Sequence, residues 1–153
     1  MAYIGNDEKI TDCIFCVYPR EENDAENLIL YRGDYAFVIL NRYPYATGHL
    51  LVVPYRHTSD LVTLTPEEGA EMMKLTQESI RTIKTASKPH GFNLGMNLGK
   101  TAGAGIDAHL HLHIVPRWDG DTNFMSVTAE TKVLPEALSV TREKLLSAWM
   151  KNA

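Results

Sequence analysis

The chain has little cysteine, no long apolar run and no surplus of positive charge. Only two of its 153 residues are cysteine, too few for a fold stapled by several disulfides. No apolar stretch approaches the roughly 20 residues that a membrane-spanning helix requires. Lys and Arg number 15 against 19 Asp and Glu, a formal net charge of −4, which argues against a broad nucleic-acid-binding surface. An anionic ligand would therefore have to be held by a local site. The opening Met1-Ala2-Tyr3-Ile4-Gly5-Asn6-Asp7-Glu8 has neither the basic stretch nor the apolar core of a secretory leader, so the expected location is the cytoplasm. Hydrophobic residues make up 44% of the chain and charged ones 22%, as in an ordinary globular protein of one domain, residues 1–153.

What is present is concentrated. Three of the six histidines fall in His109-Leu110-His111-Leu112-His113. Alternation at period two predicts a half-buried strand over 109–115, with the imidazoles on one face and Leu110, Leu112 and Ile114 pointing into a core. Histidine serves as base, nucleophile or metal ligand near neutral pH. Residues i and i+2 are about 6.6 Å apart on a strand, and i and i+4 about 13 Å. Neighbouring histidines could then share a metal ion, but all three could not, so at least one imidazole is left for another role.

Leu28–Tyr31 and Tyr35–Leu40 are β-prone runs around Gly33-Asp34 and predict a hairpin. His49–Pro54 is almost continuously apolar and predicts a central strand. Thr65-Pro66-Glu67-Glu68 predicts a helix start with a capping box, and the helix carries Met72, Met73, Leu75, Ile80 and Ile83 before Lys88-Pro89 stops it. A fourth strand follows over Phe92–Leu98, then the histidine strand. Residues 119–131 read as a polar loop, and Leu134-Pro135-Glu136 opens a C-terminal helix to about residue 150 with Leu138, Leu145 and Trp149 on its apolar stripe. Meandering strands around one long helix predict an α+β fold with a mainly antiparallel sheet of about five strands.

Cys13-Ile14-Phe15-Cys16 admits a disulfide, a redox pair or half of a zinc site. Tyr18–Asp24 after it reads as a loop, which fits poorly with a redox motif between strand and helix. His57, just past the third strand, completes a Cys₂His₂ set with one histidine of the triplet. Such a set leaves no open coordination position, so its metal would be structural. Gly95-Met96-Asn97-Leu98-Gly99-Lys100-Thr101 looks like a phosphate-binding P-loop but is one residue short and lies between two strands, which excludes that motif. The glycines at 99, 103 and 105 would still let backbone amides approach an anion.

Ala108-His109-Leu110-His111-Leu112-His113-Ile114-Val115 resembles the signature of the histidine triad (HIT) superfamily, as do Leu40–Pro44, Gly48–Pro54 and the CxxC in the same order. The resemblance covers roughly residues 13–125, and Pro116–Phe124 is most similar to the branch of diadenosine tetraphosphate phosphorylases and fragile-histidine-triad hydrolases. It implies a HIT-like fold that cleaves dinucleoside polyphosphates through a covalent nucleotidyl-histidine, with phosphate or water as acceptor. By the same resemblance His111 is the nucleophile, His113 bonds phosphate oxygens and His49 sits close behind. Asn41 meets the ribose, Ile39 and Leu51 line the base pocket, and Asn97 with the amides of Gly103, Ala104, Gly105 and Ile106 holds phosphate. Zinc would sit on Cys13, Cys16, His57 and His109. The hydrolases carry a glutamine where this chain has Gly105, so the loop is closer to the phosphorylases. A nucleoside phosphoramidase or other adenylate-releasing enzyme, and a non-catalytic nucleotide-binding module, are the alternatives. A homodimer is also implied, with Phe92–Leu98 as the sheet edge and Met72, Met73 and Ile80 packing across the twofold axis.

Overall fold

The structure, a computed structural model, describes residues 13–122 and 136–152. The expected hairpin forms from β1 (Ile29–Arg32) and β2 (Ala36–Leu40), paired antiparallel. Its turn is fastened by the Glu71 carboxylate, which accepts the N–H groups of Asp34 at 2.9 Å, Ala36 at 2.8 Å and Tyr35. A Cβ on Gly33 would lie 2.8 Å from both that carboxyl and the Ala36 carbonyl, so the approach requires glycine. β3 (Leu50–Pro54) pairs with β2 and is buried along its whole length, as a central strand should be.

The long helix α2 spans Pro66–Ser87, after a four-residue helical turn, α1, at Ile14–Val17. Its start carries the full capping box: Thr65 Oγ1 accepts the Glu68 N–H at 3.2 Å, and the Glu68 carboxylate accepts the Thr65 N–H at 2.8 Å. Arg56 binds the same carboxylate through Nε and Nη2, each at 2.8 Å, tying the loop after β3 to the helix. The helix ends with Lys88 in the left-handed region, at φ 47°, one residue before Pro89. β4 (Gly91–Gly95), β5 (Leu112–Arg117) and α3 (Leu138–Asn152) complete the described elements.

The sheet order is β1-β2-β3-β5-β4, with every neighbouring pair antiparallel. β4 is thus an edge strand, as expected, and β5 is inserted between it and the buried β3. Directly paired residues share a face. Ile39, Leu51, His113 and Gly95 therefore form one row across four strands, and Leu40, Leu50, Ile114 and Leu94 form a row on the other face. α2 packs on β2, β3 and β5, with α3 beside it and against β1. Tyr31 stacks on Trp149 at 4.9 Å, and Arg142 donates Nε–H to the Ile29 carbonyl at 3.1 Å.

Five expectations change. β5 begins at Leu112, not His109. Continuing its register would set Leu110 opposite Pro54, which has no N–H to give the ladder. The Pro54 carbonyl instead accepts from the His109 ring at 2.8 Å, and the Leu110 N–H turns to the Thr58 carbonyl at 2.7 Å. β4 consequently stops at Gly95, since Met96–Leu98 have no strand to pair with. Met72 is buried in the chain's own core and cannot cross a dimer axis, whereas Met73 is exposed and Ile80 half-buried. Tyr18–Arg20 is a 3₁₀ turn rather than loop. Helix α3 starts at Leu138; Leu134, Pro135 and residues 123–131 of the expected loop lie outside the described residues. Among the described residues no helix is long and apolar enough to cross a membrane.

Arg56, through its hydrogen bonds, holds the buried Glu68 carboxyl at about 2, well below its usual range. A carboxylate depressed in the folded state stabilises above its unfolded pKa of about 4.3 and loses that contribution as pH falls through the folded value. Glu68→Gln is expected to cost about 1–3 kcal/mol at pH 7. Urea unfolding at several pH values checks this: the gap between the two proteins should narrow from pH 5 down to pH 2, and a gap independent of pH would refute it.

Candidate functional site

The departure of His109–His111 from the sheet builds two centres back to back. In the first, Sγ of Cys13, Sγ of Cys16, Nδ1 of His57 and Nδ1 of His109 all lie within 4.8 Å of one another. The measured edges are 3.4 Å for Cys13–His109, 3.2 Å for Cys16–His57, 3.5 Å for Cys16–His109 and 3.2 Å for His57–His109. A zinc tetrahedron with the usual Zn–S and Zn–N lengths has edges of about 3.3–3.8 Å. The donor chemistry also fits. His109 donates its Nε2–H to the Pro54 carbonyl at 2.8 Å, which leaves the Nδ1 lone pair facing the sulfurs. Burial pushes His109 down to about 4, so the ring is neutral as a ligand must be. Burial, with the Cys13 sulfur beside it, raises the Cys16 thiol to about 11, and a dication is what would draw its proton off. Both cysteines are free, with no disulfide between them.

The second centre faces a cavity of about 440 Å³. The His111 ring lines it, and His111 Nδ1 lies 2.9 Å from the His109 carbonyl. A carbonyl only accepts, so Nδ1 carries a hydrogen, and in the neutral ring Nε2 keeps its lone pair. Behind it a second chain of bonds fixes two further tautomers. The Tyr45 N–H donates to His49 Nδ1 at 3.0 Å, so the neutral His49 carries its proton on Nε2, 2.9 Å from His113 Nδ1. His113 therefore accepts at Nδ1 and keeps its own proton on Nε2, a buried atom with no partner among the described residues. Burial and the nearby His111 lower the His113 pKa, which favours this neutral form.

Ile39, Asn41, Leu51, Asn97, Gly103, Gly105, Ile106, His111 and His113 all line this cavity. His49 lies fully buried beneath it, and Ala104 is outside its wall. The loop spends some of its own donors: the Gly103 N–H bonds the Lys100 carbonyl at 2.9 Å and the Ala104 N–H that of Gly99 at 3.4 Å. The amides of Gly105 and Ile106 remain unused among the described residues. Lys100–Ala102 is a 3₁₀ turn, not the helix of a P-loop. His57 and His109 stand with the cysteines, so only His111 and His113 of the triplet face the cavity.

The sequence reading missed Phe15 and Tyr45. Phe15 is buried between the centres, its ring 5.5 Å from that of His109 and 5.2 Å from that of His111. Tyr45 lies 4.8 Å from the His49 ring and stacks within 10° of His113 at 6.0 Å. An aromatic inside the CxxC spacing was the available signal for the first; for the second, a tyrosine in a turn-rich loop carries none.

A family model described as HIT domain matches residues 22–120. The chain belongs to the HIT family. A HIT relative named AP-4-A phosphorylase, from Mycobacterium tuberculosis, is 50% identical over 130 residues, covering 85% of this chain and 67% of the relative. An uncharacterised HIT-like protein of Saccharolobus solfataricus is 31% identical over 113 residues, covering 74% of this chain and 79% of that protein. The crystal structure of a Zn-bound histidine triad family protein from Mycobacterium smegmatis superposes with a TM-score of 0.76 at 28% identity, covering 94% of this chain and 96% of that one. The four-residue cluster of this HIT protein can hold a metal ion, and that neighbour is Zn-bound.

Purified reduced and without chelator, the protein should carry about one zinc per chain by elemental analysis. Cys13→Ser or His57→Ala should lower both the zinc content and the melting temperature. Less than about half a zinc per chain in the wild type would refute a structural zinc site.

Proposed function

We propose that this HIT enzyme cleaves dinucleoside polyphosphates by moving a nucleotidyl group through a covalent nucleotidyl–His111 to inorganic phosphate. The observation that carries this reading is the bond from His111 Nδ1 to the His109 carbonyl, which leaves Nε2 as an unprotonated nucleophile at the cavity wall. In the first step Nε2 forms a bond to the phosphorus carrying the nucleoside, and the bond from that phosphorus to the bridging oxygen breaks. The remaining nucleoside polyphosphate departs with the electron pair. The ring becomes cationic, and its Nδ1–H, already on the His109 carbonyl, needs no reorganisation. In the second step a phosphate oxygen attacks the same phosphorus and returns the electron pair to Nε2.

The other residues have roles that follow from what they offer. His113 Nε2–H and the amides of Gly105 and Ile106 donate to the equatorial phosphoryl oxygens, where charge accumulates. Tyr45 and His49 hold His113 in the tautomer that can donate. Ile39 and Leu51 present an apolar floor to the base, with Asn41 at the ribose and Asn97 at the phosphates. A metal on Cys13, Cys16, His57 and His109 would have no open coordination position. When bound it supplies rigidity to His109, not a step in the reaction.

Phosphate as acceptor follows the name of the 50% identical relative. Two free thiols at metal-ligand spacing suit a reducing compartment, the cytoplasm. The sheet, helices and both centres read as one domain. The exposed edge of β4 suits a twofold dimer, because a bare edge strand invites pairing.

Incubation with diadenosine tetraphosphate should give ATP and ADP when phosphate is present, whereas AMP and ATP would assign water as the acceptor. His111→Ala should reduce turnover at least about a hundredfold while nucleotide affinity changes less than about tenfold, because it removes the nucleophile and few ground-state contacts. Turnover above about a hundredth of wild type would place the nucleophile elsewhere. Light scattering should report a mass near twice the chain's 17.2 kDa, and a monomer at micromolar concentration would refute the dimer.

A further inference from the structure

Beyond His113 the site continues into a second cavity, of about 420 Å³, which shares Tyr45, Asn97 and His113 with the first. His111 lines only the first. We propose that this second cavity binds the nucleoside of the departing nucleoside polyphosphate, so that the enzyme grips both ends of its substrate. The inference rests on the reading of the protein as a dinucleoside polyphosphate-cleaving enzyme.

Three observations carry it. The first is directional. In phosphoryl-type transfer the entering and leaving atoms lie roughly in line on opposite sides of phosphorus. With His111 Nε2 entering from the first cavity and His113 at the boundary, the leaving oxygen departs past His113 into the second. By the same geometry the acceptor in the second step arrives from there.

The second observation is the space itself. Gly95 is paired directly with His113 at the end of the row Ile39–Leu51–His113–Gly95, and it lines the second cavity. A Cβ built on Gly95 meets nothing within 4 Å. The row that offers large apolar side chains on the base side of the site thus offers none on the leaving side.

The third is the chemistry of the wall. Arg117 spends Nε and Nη2 on the Asp121 carboxylate, at 2.6 and 2.9 Å, and Nη1 on Asn93 Oδ1 at 2.7 Å. The cation is matched by an anion, so the cavity has no surplus charge with which to hold a polyphosphate tail. On the face of the sheet that carries His113 and Gly95, Val115 supplies apolar contact and Asn93 an amide edge. Apolar faces with a few fixed hydrogen-bonding groups suit an uncharged nucleoside. The phosphates that join the two nucleosides then cross the boundary at His113 and Asn97.

The test compares diadenosine tetraphosphate with adenosine 5′-tetraphosphate, which has the same nucleotidyl group and phosphate count but no second nucleoside. Wild-type enzyme is expected to favour the first by at least about tenfold in kcat/KM. Gly95→Leu, which fills the space, should lower kcat/KM for the dinucleoside at least about tenfold and change that for adenosine tetraphosphate less than about threefold. Asn93→Ala, which removes a wall group without adding bulk, should shift the ratio in the same direction by about two- to fivefold. Equal kcat/KM for the two substrates in wild type, or an equal loss on both in a Gly95→Leu enzyme that melts like wild type, overturns the subsite. Turnover of neither substrate by wild type overturns the proposed reaction instead, so the two failures are told apart.

Discussion

The bond between His111 Nδ1 and the His109 carbonyl is the constraint on which the site depends. It selects the tautomer of the proposed nucleophile, and it can do so only if the carbonyl itself is held. His109 is held three ways: its Nε2–H sits on the Pro54 carbonyl, its Nδ1 faces the two cysteines and His57, and the following N–H bonds Thr58. Side chain and main chain of one residue thus serve two centres, the cluster of cysteines and histidines and the cavity lined by His111. Phe15 closes the arrangement by packing on both imidazoles from within the CxxC turn. The α2 helix contributes from a distance, since Glu68 fixes Arg56 and with it the loop that presents His57.

Two neighbouring histidines of the site, His113 and His49, sit where a further proton is disfavoured. Burial and mutual proximity disfavour charge on His113, and a backbone N–H directed at His49 Nδ1 disfavours a proton there. Such a site meets a phosphate with directed N–H groups rather than with a cation. That suits a reaction in which charge is shared among equatorial oxygens and must not be held so tightly that the product stays. It also fits a chain of net charge −4, in which anion binding has to be local.

Much of this was legible in the sequence where the signal is local. The capping box at Thr65–Glu68, the hairpin at Gly33, the buried third strand and the Cys13/Cys16/His57/His109 set each rest on spacing or composition within a few residues, or on a specific family signature. The misses are tertiary. Periodicity could not show that Pro54, 55 residues earlier in the chain, denies His109–His111 a ladder and so frees them to turn. Tyr45 acts on His49 through a main-chain N–H, a function that no side chain announces.

The row Ile39–Leu51–His113–Gly95 has a consequence for folding fidelity. It crosses three inter-strand spacings, about 14 Å, and it holds only if four strands pair in one register. A slip of β5 by a single residue would exchange the faces, sending His113 toward the helices and bringing Leu112 or Ile114 to the cavity. A misregistered chain would therefore carry a buried, unpartnered imidazole and a greasy cavity wall at once. Stability and activity are thereby selected together, and the hydrogen-bond ladder proofreads the catalytic centre before any substrate arrives.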